Sequence, residues 1–325
     1  MTDRGFGTHV WASFDAAVSR GLSFLTSSEH MQQSWARTIK SYDDVPDVYR
    51  SAFETLVNGA GEFPYTVLTP SYKGFIKRGK EKLVSCIGDK VCILEETGND
   101  LTTTCYLLDG ISCIEVGKLL LQFWVEIRGT TTAGGLSSTR LEASTVTQVF
   151  FLPIVDALRV SQHGTGEADW EVERDKFDYL VSLNYKFMNY ARQSIMQGEK
   201  VVHHVLQPEI RSEILSLFGK SLCRTLSAAH ITILTDREMI LIRDGADKWW
   251  DSGIKYGGVW NYIPLSRITS VSLTNKTDDT LTLSVNLPEG DSKNLLFATS
   301  NGDEVASLLD RLADLRPDMI IERAA

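Results

Sequence analysis

Hydrophobic and polar positions change rhythm several times along the chain. Between residues 47 and 57, Tyr49, Phe53 and Leu56 fall at helical spacing. This predicts a helix with one apolar face, ended by the turn-forming run Asn58-Gly59-Ala60-Gly61. Beyond residue 63 the pattern shortens to runs rich in β-branched and aromatic residues, at 64–69, 82–87, 90–95, 102–107, 111–116, 119–128 and 138–143. Gly, Asp and Asn separate these runs, which predicts an antiparallel sheet or barrel. Ser144 is placed to cap a following helix, in which Pro153 imposes a kink or break near Leu152 because it has no N–H to donate. The longest helical signal spans 163–198. There Phe177, Leu180, Val181, Phe187, Met188, Ala191 and Ile195 largely share a face, with Asp169 able to cap the start and Gly198 the end. A second β-rich stretch covers 201–299, and a closing helix at 303–315 carries Val305, Leu308, Leu309, Leu312 and Leu315 on one side before Pro317 stops it. Ahead of all this, residues 10–24 are amphipathic and 27–44 mostly polar.

The two β-rich stretches share an order of features. Val67-Leu68-Thr69-Pro70 is echoed by Val205-Leu206-Gln207-Pro208, and Val91-Cys92-Ile93-Leu94 by Met239-Ile240-Leu241-Ile242. Each of the latter pair follows a tight polar turn, Gly88-Asp89 or Thr235-Asp236-Arg237. The second stretch carries an insertion between Asp244 and Val259.

The phrase Ile231-Thr232-Ile233-Leu234-Thr235-Asp236-Arg237-Glu238-Met239-Ile240-Leu241-Ile242, followed by Ile263-Pro264-Leu265-Ser266-Arg267-Ile268, resembles the bacterial pleckstrin-homology-like domains. The resemblance covers residues 63–160 and 201–316 and rests on hydrophobic pattern and turn order. It implies an α+β fold of two antiparallel β-barrels, each closed by a C-terminal helix and joined by a long helix. The expected layout is a helical N-terminal segment (1–62), a first barrel (63–160), a linker helix (161–200), a second barrel (201–316) and a tail (317–325). Domains of this type share a fold without a common activity, so the resemblance implies a binding or scaffolding module and transfers no site residue.

Length and composition fit this layout. The 325 residues exceed what one core usually serves, and 43% hydrophobic with 23% charged residues is ordinary globular usage. No apolar run is long enough to span a bilayer, and residues 1–30 lack the apolar segment of a secretory signal, so a cytoplasmic location is expected. Five cysteines, Cys86, Cys92, Cys105, Cys113 and Cys223, are expected to be reduced, and no metal or other cofactor is expected. A net charge of −9 weighs against nucleic acid as a partner.

Two clusters carry candidate chemistry. Lys73, Lys77, Arg78, Lys80 and Lys82 are interrupted only by Glu81 among charged residues. In the eukaryotic pleckstrin-homology domains that this stretch resembles, basic side chains on the first hairpin loop hold phosphoinositide headgroups. That implies an anionic ligand or peripheral membrane contact here. The insertion and the residues just after it, 244–262, gather Trp249, Trp250, Tyr256, Trp260 and Tyr262, which suit partner binding or internal packing against the linker. His203, His204 and His230 have no Ser, Cys or paired carboxylate at an informative spacing, so no catalytic residue is named. The leading expectation is a non-enzymatic binding or scaffolding protein with a protein partner or self-association. Anionic-membrane or phosphorylated-ligand binding through the basic loop stands second, and an enzyme with an interdomain cleft third.

Overall fold

Pro46 stands just before helix α1 (Asp47–Val57), where its missing N–H leaves no helical bond unmade, and Tyr49, Phe53 and Val57 form the buried face. In the computed structural model the described residues are 35–58, 62–73, 78–98, 100–161, 166–217, 220–245 and 257–323. The first-half strands are β1 (Arg37–Ile39), β2 (Tyr65–Leu68), β3 (Tyr72–Lys73), β4 (Arg78–Gly79), β5 (Lys82–Ile87), β6 (Lys90–Thr97), β7 (Asp100–Leu119), β8 (Gln122–Thr131) and β9 (Leu136–Ser144). Helices α2 (Leu152–Ser161), α3 (Trp170–Asp175) and α4 (Val181–Ser194) follow. The second half holds β10 (Val201–Gln207), β11 (Ile210–Leu217), β12 (Lys220–Ser227), β13 (His230–Thr235), β14 (Glu238–Asp244) and β15 (Gly257–Pro264). Next come β16 (Ser270–Thr277), β17 (Thr280–Asn286), β18 (Ser292–Ala298), helix α5 (Gly302–Leu315) and β19 (Ile320–Arg323).

The expected pair of barrels joined by a long helix is overturned. Strands of both halves form one eleven-stranded sheet in the order β1-β2-β5-β6-β7-β15-β14-β13-β10, with β8 and β9 branching from β7. Among the described residues β9 pairs only with β8 and β18 only with β17, so no ring of strands closes. The reason lies in β7. The runs expected as separate strands at 102–107 and 111–116 are one bent strand, which pairs with β6 through residues 100–107 and with β15 through residues 114–119. Its register with β8 slips between Tyr106 and Cys113. At that bend a Cβ on Gly129 would stand 2.6 Å from the Gly110 carbonyl oxygen, so only glycine lets the two backbones approach.

The expected linker helix is also broken. A 3-10 turn at Asp178–Leu180 separates α3 from α4, and Asn184 adopts an extended backbone with φ −160° inside α4. Its side-chain Oδ1 accepts from Phe187 N at 3.2 Å, so Asn184 caps a fresh helical start. The break expected near Leu152 falls after a 3-10 turn at Thr145–Phe150, which leaves Pro153 in the first turn of α2.

Three layers of packing result. Leu68, Leu83 and Leu94 meet the Tyr49–Phe53–Val57 face of α1. The alternate residues Val67, Val84 and Ile93 enter a larger core with Phe123, Leu158, Phe187 and Ala191, which continues to Ile231, Ile240 and Tyr262 of the second half. On the far side of β13–β15, Leu234, Met239 and Leu241 pack with Leu283, Phe297 and the Val305, Leu308, Leu309 and Leu312 face of α5. Strands β13 and β14 are therefore buried on both faces, which accounts for their near-continuous apolar runs.

One further expectation changes. Cys92 and Cys105 lie directly opposite each other on β6 and β7 and are joined as a disulfide, so the five thiols are not all reduced. Cys86 and Cys113 are free, and burial pushes both thiols up to about 12.

Candidate functional site

The β3–β4 hairpin carries the backbones of Lys73 and Arg78 opposite each other. Lys77 lies outside the described residues, as do the side chains of Lys73 and Arg78. Lys80 and Lys82 line a groove of about 440 Å³ together with Thr69, Glu95, Glu96, Arg140 and Glu142. Lys82 Nζ sits 2.8 Å from Glu95 and donates to the Arg140 carbonyl at 3.1 Å. Lys80 Nζ lies 4.0 Å from Glu96 and donates to the Gly98 carbonyl at 3.3 Å. Arg140 in turn pairs with Glu142 at 3.0 Å and stacks on the Trp124 ring. Each described cation of the groove thus faces a carboxylate, and the groove presents mixed rather than positive charge. The cause is register: Lys82 stands directly opposite Glu95 in the β5–β6 ladder.

Of the aromatic cluster, Trp249, Trp250 and Tyr256 lie outside the described residues. Trp260 is buried in β15, its ring 4.6 Å from that of Tyr190 on α4, so it serves the core. The histidines stand apart from one another in role. His203 Nε2 lies 3.2 Å from the Glu304 carbonyl oxygen, and His204 Nε2 pairs with the Tyr179 hydroxyl at 2.8 Å. His230 is buried against Phe297. Burial holds both His204 and His230 down at about 4, so each is neutral near pH 7.

The seam between the halves is polar at its rim. Arg128 reaches Glu126 at 2.8 Å and Asp291 at 3.3 Å, and Lys293 lies 3.8 Å from Glu115. A cavity of about 400 Å³ lies here, lined by Glu126, Arg128, Ser137, Ser138, Glu289 and Asp291 among others. Burial alone would raise the Glu126 carboxyl, but hydrogen bonds from Ser138 and Arg128 outweigh it and hold the group below its ordinary value. An ionised, saturated carboxylate of this kind is a poor base, and among the described residues no histidine or cysteine lines the cavity. Among the described residues no group of three His, Cys, Asp or Glu side chains stands ready to hold a metal, and no helix is long and apolar enough to cross a membrane.

No protein-family model matches this chain, and no curated protein is similar to it. Another surface feature was missed by sequence reasoning. Tyr179, Val181, Leu183 and Tyr185 are 52%, 56%, 66% and 63% exposed, although helical spacing had placed Val181 on the buried face. Leu180, Phe187, Met188 and Ala191 are buried while these four are exposed, with the helix broken by the extended backbone at Asn184. Asn184, three residues before Phe187, was the available signal for a cap.

Proposed function

We propose that this chain is a non-enzymatic binding or scaffolding protein that docks a protein partner through the exposed segment that carries Tyr179, Val181, Leu183 and Tyr185. The observation that carries this reading is the exposure of four large apolar or aromatic side chains in one short segment. Soluble proteins seldom leave such groups clustered in water, and tyrosine is favoured where partners meet. The mixed-charge groove supports the anionic-membrane reading less, because Lys80 and Lys82 already face Glu96 and Glu95.

The test is light scattering after size exclusion, combined with cross-linking, on the wild type and on the double variant Leu183→Asp, Tyr185→Asp. Both substitutions fall on exposed positions, so the fold is expected to survive unchanged in far-ultraviolet dichroism. The expected result is a defined oligomer, or a specific cross-linked complex, that disappears in the double variant. A wild type that is monomeric and cross-links identically to the variant removes the reading. Salt-sensitive capture by acidic vesicles would instead favour the basic loop.

A further inference from the structure

A buried group of charges lies where the end of α2, the end of α4 and the start of β14 meet. The Arg159 guanidinium donates to Glu238 Oε1 from Nε, at 3.0 Å, and from Nη2, and Nη2 also donates to the Ser194 carbonyl at 2.7 Å. Glu199 Oε2 lies 3.6 Å from the same Nη2 and accepts from Met196 N at 2.9 Å. The Tyr262 ring stacks on the guanidinium at 4.0 Å. The side chains of Arg159, Glu199 and Glu238 are 5%, 2% and 2% exposed, and Glu199 Oε1 has no hydrogen-bond partner.

One guanidinium therefore faces two carboxylates in a buried setting. With both ionised, a negative charge is left uncompensated, and its desolvation is unfavourable. A proton on Glu199 removes that uncompensated charge. We propose that Arg159, Glu199 and Glu238 form a proton-operated latch, which holds α2 and the end of α4 against β14 while Glu199 is protonated and loosens as Glu199 ionises.

The neighbouring elements supply few other charges. From α2 comes Asp156, an exposed residue whose carboxylate is attracted by Arg159. From β15 comes Tyr262, pushed up to about 12 chiefly by burial. The β13–β14 turn contributes Asp236, which accepts from Lys200 N at 2.8 Å, and Arg237, which donates to the Gly198 carbonyl at 3.2 Å. Thr235 faces Glu199 from the same turn. Burial first, and then Glu238, raise the Glu199 carboxyl to about 7. A carboxyl raised on folding binds its proton more tightly in the native state. Its contribution to stability is therefore full below the unfolded value of 4.5 and is lost as pH rises through about 7.

Equilibrium unfolding in urea from pH 5 to pH 8, on the wild type and Glu199→Gln, reads this directly. The ratio of the wild-type to the variant folding constant is expected to fall on the order of 100-fold across that range. The comparison cancels the histidines, which are common to both proteins. Parallel profiles would overturn the proposal. Should Glu199→Gln not fold, infrared spectra of wild type carrying carbon-13 glutamate decide the matter. A protonated glutamic-acid carbonyl band that fades with a midpoint near 7 supports the latch, and its absence at pH 6 sinks it.

Discussion

At the scale of single residues, burial can decide the charge state of a side chain. His230 illustrates this: its Nδ1 lies 3.1 Å from the Ala228 carbonyl oxygen, while its Nε2 is buried with no partner. Its folded value of about 4 lies below the ordinary 6.5, so its contribution to stability is intact above about 6.5 and is lost as pH falls towards 4. Replacing it by Phe, which keeps the contact with Phe297, is expected to remove about 3 kcal/mol of that acid-side loss. Chemical denaturation of both proteins at pH 4.5 and pH 7 checks the expectation, and an unchanged difference between the two pH values refutes it. The residue scale was only partly legible beforehand. Lys82 read as a free cation because its partner Glu95 is distant in sequence and near only through the β5–β6 register. The Gly88-Asp89 turn between the two strands was recognised, so counting outward from it would have found the pair.

Single elements were read better than their continuity. The spacing of Tyr49 and Phe53 predicted α1 at 47–57, and the β-branched runs marked most strands of the first half, because local pattern is sufficient for both. Pattern could not show that 102–107 and 111–116 are one strand, since the Asp109-Gly110 pair between the two runs is a bend where Gly110 meets Gly129. Nor could it show that 170–197 is broken, because the apolar positions on either side of Asn184 nearly keep phase. The cap at Asn184 is testable at this scale. Asn184→Ala removes the acceptor for Phe187 N and is expected to cost about 1 kcal/mol, with Asn184→Asp keeping most of it. Thermal unfolding of the two variants makes the comparison. Equal loss in both would show that the side-chain oxygen does not cap the helix.

On the scale of the whole molecule, the halves share too much to unfold apart. The core that holds Val67 and Phe123 also holds Ile231 and Tyr262, and β7 hydrogen-bonds to β15 across the seam. Coincident unfolding transitions by far-ultraviolet dichroism and tryptophan fluorescence are therefore expected, as one cooperative step. Two separated transitions would show that the halves act independently. This sharing was the least legible feature of all. An apolar strand such as β14 looks the same in sequence whether helices or another sheet cover its second face.

The β7–β15 pairing also has a consequence during synthesis. The edge of β7 from Ile114 to Leu119 is made long before its partner, residues 257–262, leaves the ribosome. At roughly 5–20 residues per second, that edge waits on the order of ten seconds with its backbone groups unpaired. Over that interval the nascent chain presents a ready template for another strand, so the step most exposed to aggregation precedes completion of the fold. A cell making this protein would have to shield that edge until β15 arrives to cover it.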